Sequence, residues 1–214
     1  MDREDAAHRL SAFLKEKGHP RSPNSVLLAL PRGGVPIAHE LAQSLDIPYD
    51  VLIVRKIGHP ENAEYGIGAL TEENILWINP EIPPDFRPSQ KLVQRIIDDE
   101  KAELQRRLQL YRNGKSLKDL KGMTVYLVDD GLATGVTARV AAKYIRDKGA
   151  KEIYLVVPAG STRASKQMRQ EITDVLSLIE TDDFAFVGQF YESFNQVPDE
   201  EVMKLLRSRP KRFS

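Results

Sequence analysis

The stretch Val125-Tyr-Leu-Val-Asp-Asp-Gly-Leu-Ala-Thr-Gly-Val-Thr137 constrains this chain more than any other part of it. Val125, Tyr126, Leu127 and Val128 form an unbroken apolar run, as expected of a strand buried on both faces inside a parallel sheet. The run stops at two carboxylates, Asp129 and Asp130. Gly131, Leu132, Ala133, Thr134, Gly135, Val136 and Thr137 follow as a loop of mainly small residues, and a helical pattern begins at Ala138. A buried strand, a tight loop and a helix start in such close succession commit the chain to an α/β arrangement.

Such a loop is suited to anions. Unpaired N–H groups at the helix start point outward, the helix dipole adds positive potential, and threonine hydroxyls supply further donors. The two aspartates are acceptors only, so beside a phosphate they need a hydroxyl to hold or a metal to share. A ribose 5-phosphate meets both demands, its phosphate on the Thr/Gly loop and its 2- and 3-hydroxyls on Asp129 and Asp130.

The whole stretch resembles the ribose-phosphate signature of the type I phosphoribosyltransferases: four apolar residues, two acids, and a loop ending Thr-Gly-x-Thr. A ligand-free Rossmann-like turn is the plain structural alternative. A receiver-like domain is another, but it places its acids elsewhere and has no need of Thr-Gly-x-Thr. The resemblance implies an α/β fold, a parallel sheet flanked by helices, with a small hood and an inserted hairpin plus long helix. It implies a single phosphoribosyltransferase-like domain over 1–214, with a mobile loop at 57–68, a helical insertion at 80–113 and part of the hood at 180–200.

Composition narrows the partners. Lysine plus arginine and aspartate plus glutamate number 31 each, so no global field attracts nucleic acid or an anionic membrane. Cysteine is absent, which excludes disulfides and thiol catalysis. The charged start Met1-Asp-Arg-Glu-Asp5 has no apolar stretch of the signal-peptide kind, and no apolar run is long enough to span a bilayer. A cytoplasmic protein is expected.

Elsewhere, an apolar stripe from Asp5 to Lys17 predicts a helix, and Ser25 to Leu30 a buried strand. Pro31-Arg-Gly-Gly-Val-Pro36 then precedes a helix from Ile37 to Leu45. Arg32 brings a fixed charge suited to phosphate oxygens, and Gly33 and Gly34 let backbone approach closely. In the resembled family this loop binds pyrophosphate. Asp50 to Val54 reads as another parallel strand, with Arg55 and Lys56 at its carboxyl end where open α/β sheets bind ligands. The aperiodic, glycine-bearing segment from Ile57 to Gly68 suits a loop that closes over a site. Its Glu64-Tyr65-Gly66 is similar to a motif of adenine phosphoribosyltransferases whose acid assists proton transfer. Gly66 to Leu70 and Asn74 to Asn79 predict a hairpin, and Ser89 to about Arg112 a long helix. Asp98, Asp99 and Glu100 on that helix, with Arg106, Arg107 and Arg112, read as a solvated face; its apolar stripe could also pack a second subunit, since many family members are dimers. Glu152 to Val157 and Asp174 to Ile179 predict further strands. Arg207 to Arg212 reads as a frayed basic tail.

The resemblance implies phosphoribosyl pyrophosphate as substrate, with Mg²⁺ on its pyrophosphate and ribose hydroxyls beside Asp129 and Asp130, and an acceptor nitrogen, a nucleobase above all. Arg32, Gly33, Gly34, Arg55, Lys56 and the loop from Asp129 to Thr137 are the implied binding residues; Lys56 and Glu64 are the implied catalytic ones. Phe186, Val187 and Pro158 are the candidate base contacts. Hypoxanthine-guanine enzymes have an acid where this chain has Ala133, and a lysine where it has Val157-Pro158, so a 6-oxopurine fits poorly. Alanine before Thr-Gly agrees with adenine enzymes. The same fold also serves proteins that sense phosphoribosyl pyrophosphate or nucleotides without turnover, the reading from a different class.

Overall fold

A computed structural model describes residues 1–73, 75–79 and 82–209, apart from the side chains of Ala63 and Glu64. Helix α1, Arg3–Glu16, is capped by Asp2, whose carboxylate accepts the Asp5 N–H at 2.8 Å. It buries Ala6, Leu10 and Leu14. Strand β1, Ser25–Ala29, is buried throughout, and helix α2, Gly34–Leu45, starts three residues before the position its pattern suggests. Pro36 does not prevent this, because a proline in the first helical turn gives up an N–H that has no partner there anyway.

Strands β1, β2 (Tyr49–Val51), β6 (Thr124–Val128), β7 (Glu152–Ser161) and β8 (Asp174–Thr181) form one parallel sheet in the order β2-β1-β6-β7-β8. From β1 the chain moves outward to β2, and it returns on the other side of β1 as β6. The carboxyl ends of β1 and β6 are therefore neighbours whose following segments diverge, the place where an open parallel sheet leaves a crevice. Helices α1, α2 and α6 (Asp199–Arg207) and the second half of α3 (Gln90–Arg112) bury Leu10, Leu41, Leu104 and Leu206 on one face. Helices α4 (Val136–Asp147) and α5 (Thr162–Met168) bury Val140, Ile145 and Met168 on the other. The parallel sheet flanked by helices is as the sequence implied.

Three expectations need correction. The strand placed at 50–54 ends at Val51; the chain leaves the parallel sheet there and enters a second, three-stranded antiparallel sheet at Val54. Arg55 and Lys56 thus ride on β3, Val54–His59, rather than at the end of a parallel strand. Second, the segment from Ile57 to Gly68 is not loop but the rest of β3 and most of β4, Asn62–Thr71, paired with register shifts around Gly58. Its glycines hid the pattern: Gly68 packs so closely on β5, Leu76–Ile78, that a Cβ would stand 2.4 Å from the Trp77 carbonyl oxygen. Third, β7 runs four residues past Val157, because its pairing with β8 continues from Ala159 opposite Ile179 to Ser161 opposite Thr181, and Leu132 of the β6–α4 loop adds a bridge to Gly160 on the other side.

Candidate functional site

The crevice between β1 and β6 is built by close packing. A Cβ at Gly34 would lie 2.4 Å from the Val128 carbonyl oxygen, and one at Gly33 would lie 1.8 Å from Asp130 Oδ2. Only glycines allow the start of α2 to approach the end of β6 this closely. At Gly33 the direction a Cβ would take is filled by the protein's own Asp130 carboxylate.

Asp129 accepts the Asp130 N–H on Oδ1 at 2.9 Å. Burial raises the Asp129 carboxyl well above the usual aspartate range, and the Asp130 charge pushes it further. Burial raises Asp130 as well, but Arg3 pulls it back. Arg3 Nη2 donates to Asp130 Oδ2 at 2.9 Å and Nε at 3.3 Å, while Nη1 donates to the Asn195 carbonyl at 2.9 Å. The same guanidinium lies 4.4 Å from the centre of the Phe194 ring. The Tyr191 hydroxyl donates to the Asp130 carbonyl at 2.7 Å. Arg3 was not foreseen; it stands far from any motif, and only the way α1 starts beside β6 brings it here.

The loop after Asp130 is suspended from β7. Leu132 N–H donates to the Ala159 carbonyl and Ser161 N–H to the Leu132 carbonyl, both at 2.9 Å, and Ser161 Oγ donates to the Ala133 carbonyl at 3.0 Å. Ala133 and Thr134 are exposed. Gly135, at φ 76°, turns the chain into α4, whose first turn, including Val136 and Thr137, has no side-chain cap.

Arg32 extends from the β1–α2 loop to Gln196 Oε1 at 3.1 Å and Asp199 Oδ1 at 3.6 Å. Arg55 pairs with Glu100 at 2.6 Å. Arg3, Arg32, Arg55 and Arg107 line one open cleft of about 470 Å³ with Gly33, Asp130 and the 194–197 strip. Lys56 lies apart from it, in a cleft with Arg55, His59 and Glu100. The backbone of Glu64 is in β4; its side chain, and so its expected role, lies outside the described residues. Val187 sits directly on the loop, where a Cβ at Gly131 would lie 2.5 Å from its Cγ1. Phe186 is 63% exposed, and Pro158 is buried within β7.

The charged face of α3 is not simply solvated, as expected, but grips this site. Glu100 holds Arg55, Arg106 Nη2 reaches Asp199 Oδ2 at 2.8 Å, and Arg112 pairs with the fully buried Glu72 at 2.9 Å. Burial pushes the Asp199 carboxyl up, but hydrogen bonds from Tyr111 and Arg106 outweigh this and leave it lowered. The apolar stripe is used within the chain: Ile97 packs on the β3–β4 hairpin and Leu104 and Leu108 on the main core, with Leu92 left 44% exposed. Nor is the basic end simply frayed. Arg209 pairs with Asp50 at 3.1 Å, and residues 210–212 lie outside the described part. Among the described residues no helix is long and apolar enough to cross a membrane.

The chain is similar to known proteins over most of its length. A Mycobacterium tuberculosis protein, Rv0571c, provisionally named a phosphoribosyl transferase, is 36% identical over 205 residues, 96% of this chain. Those residues make up 46% of the relative, so the chain spans about half the length of the curated relatives it matches. The crystal structure of TT1426 from Thermus thermophilus superposes with a TM-score of 0.77 at 33% identity, covering 97% of each chain. A ribose-phosphate pyrophosphokinase from Nostoc is 26% identical over 158 residues, 69% of this chain and 46% of the relative. The family model described as phosphoribosyl transferase domain matches residues 1–195, and this chain belongs to that family.

Proposed function

We propose that this chain transfers the phosphoribosyl group of phosphoribosyl pyrophosphate to a nitrogen nucleophile, a nucleobase above all, releasing pyrophosphate. One observation carries the reading. Asp130 lines an arginine-rich cleft where the sheet order reverses, and the loop that follows it leads to the uncapped start of α4, where Ala133, Thr134 and Val136 line a second cavity with Tyr65, Gly66 and Arg139. The start of α4 would take the 5-phosphate, Asp129 and Asp130 the ribose hydroxyls, and Arg32 and Arg55 the pyrophosphate.

The residues fit Mg²⁺ of the kind that rests on one or two carboxylates and on substrate oxygens. Asp129 and Asp130 offer oxygen donors only, and no group of three or more histidine, aspartate or glutamate side chains among the described residues forms a cage of its own. When bound, Mg²⁺ would neutralise charge on the departing pyrophosphate.

In the reaction the acceptor nitrogen forms a bond to the anomeric carbon as the bond from that carbon to the pyrophosphate oxygen breaks. The electron pair of that bond leaves with pyrophosphate, and a proton leaves the acceptor nitrogen. The protein holds both phosphates and excludes water, since no nucleophilic side chain is required. Lys56 and Glu64, on the β3–β4 hairpin, are proposed to close over the site and assist charge and proton transfer, and Val187 to bound the acceptor pocket.

Calorimetric titration with phosphoribosyl pyrophosphate and Mg²⁺, followed by a nucleobase panel monitored for pyrophosphate release, tests the reading. Binding together with release for one base supports it and names the acceptor. No binding of phosphoribosyl pyrophosphate would overturn it.

A further inference from the structure

We propose that Arg107, on α3, is an additional pyrophosphate-binding residue. The inference rests on the reading of the crevice given above. Arg107 belongs to none of the sequence motifs, and its side chain is only 9% exposed. It nevertheless lines the same cleft as Arg3, Arg32 and Arg55.

The bonding of each arginine distinguishes Arg107 from its neighbours. Arg3 is committed to Asp130 and the Asn195 carbonyl, Arg55 to Glu100, and Arg32 to Gln196 and Asp199. Arg107 donates only through Nε, to Glu103 Oε1 at 2.6 Å, and its Nη groups make no hydrogen bond to any described residue. Glu103 is also shared with Arg106, which bonds both of its oxygens at 2.6 and 3.0 Å. One carboxylate thus serves two guanidinium groups.

A guanidinium anchored at Nε with its Nη edge unbonded is pre-arranged for a second planar or tetrahedral anion. Four arginines line the cleft with one carboxylate, Asp130, while Glu100, Asp199 and Glu103 pair with Arg55, Arg32 and Arg107 from outside the lining, so the groups that face the cleft are mainly guanidinium donors. Two linked phosphates would engage Arg107 from one side and Arg32 from the other. The long helix α3 is thereby part of the binding apparatus as well as of the core.

The test measures two ligands on the same proteins by calorimetry with Mg²⁺ present: pyrophosphate and ribose 5-phosphate. Arg107→Gln is expected to weaken pyrophosphate roughly tenfold or more while leaving ribose 5-phosphate, held at α4, within about twofold. Arg107→Lys, which keeps the charge but loses the fork, should recover part of the loss and covers the case in which the glutamine variant folds poorly. Equal weakening of both ligands would make Arg107 a structural residue and overturn the proposal, as would unchanged pyrophosphate affinity. A wild-type protein that bound ribose 5-phosphate but not pyrophosphate would overturn this proposal alone. One that bound neither would overturn the reading of the crevice, and this inference with it.

Discussion

Arg3 Nη2 and Asp130 Oδ2 stand 2.9 Å apart, an ion pair between the first turn of α1 and the end of β6 with both side chains about 15% exposed. Removing the cation leaves two adjacent carboxylates in a poorly solvated crevice. Arg3→Ala is therefore expected to lower unfolding free energy by about 2 kcal/mol, the scale of a lost hydrogen bond to a charged group. Urea denaturation at neutral pH measures it, and a change under about 0.5 kcal/mol would mean that Arg3 is a surface pair of little weight.

Asp129 gives the opposite sign. Its carboxyl is raised in the folded chain, so folding favours the protonated form, and the ionised form opposes folding at neutral pH. That penalty is absent below the ordinary aspartate value of 3.8, grows as pH climbs towards the folded value, and is constant above it. Asp129→Asn keeps an oxygen for the Asp130 N–H and should stabilise the fold at pH 7, with the gain shrinking as pH falls to 4. Under the proposed function the same variant loses affinity for phosphoribosyl pyrophosphate. Denaturation curves at the two pH values check the first part, and calorimetry the second.

Glu72 and Arg112 form a buried pair, with side chains 0% and 6% exposed, and the Leu117 N–H also donates to Glu72 Oε1 at 2.5 Å. Burial raises the Glu72 carboxyl, with the Arg112 charge opposing. Truncating either partner alone, Glu72→Ala or Arg112→Ala, should cost about 3–5 kcal/mol, since it strands a buried charge. The double variant should cost clearly less than the two losses added. A fully additive double-mutant cycle would show that the two side chains do not act as a pair.

Gly33 and Gly34 are expected to differ when each becomes alanine. At Gly33 the new Cβ meets the end of the Asp130 side chain, which can turn away after breaking from Arg3. At Gly34 it meets the Val128 carbonyl, and backbone must move. Gly34→Ala should therefore be the more destabilising, beyond the 1–3 kcal/mol roughly typical of overpacking. Thermal melting of the two variants ranks them, and the reverse order would mean that the Asp130 side chain resists displacement more than the β6 backbone.

The sequence made the centre of the molecule legible because β6 and the start of α4 are specified locally: an apolar run, two acids and a helix start need no distant information. The same holds for Arg32 and Gly33, which lie on the loop after β1. Legibility failed where the partner was remote. Nothing in the first turn of α1 announces that Arg3 will meet Asp130. Charges alternating along α3 look alike whether they face water or, as with Glu100, Arg106 and Arg112, reach across to other elements. Strand β7 runs past Val157 and Pro158 because its pairing with β8, a partner remote in sequence, continues to Ser161.

The seam between β1 and β6 pairs Ala29 with Val128, residues roughly a hundred positions apart. Between them the chain passes Gly114 and Gly122, both at φ 74°, in a stretch without helix or strand. Cut there, one fragment would carry Arg3, Arg32, Arg55 and Arg107, and the other both aspartates and the start of α4. Under the proposed function neither piece could hold a phosphoribosyl group by itself, so ligand binding by mixed fragments would report their reassembly and turn the crevice into a complementation sensor.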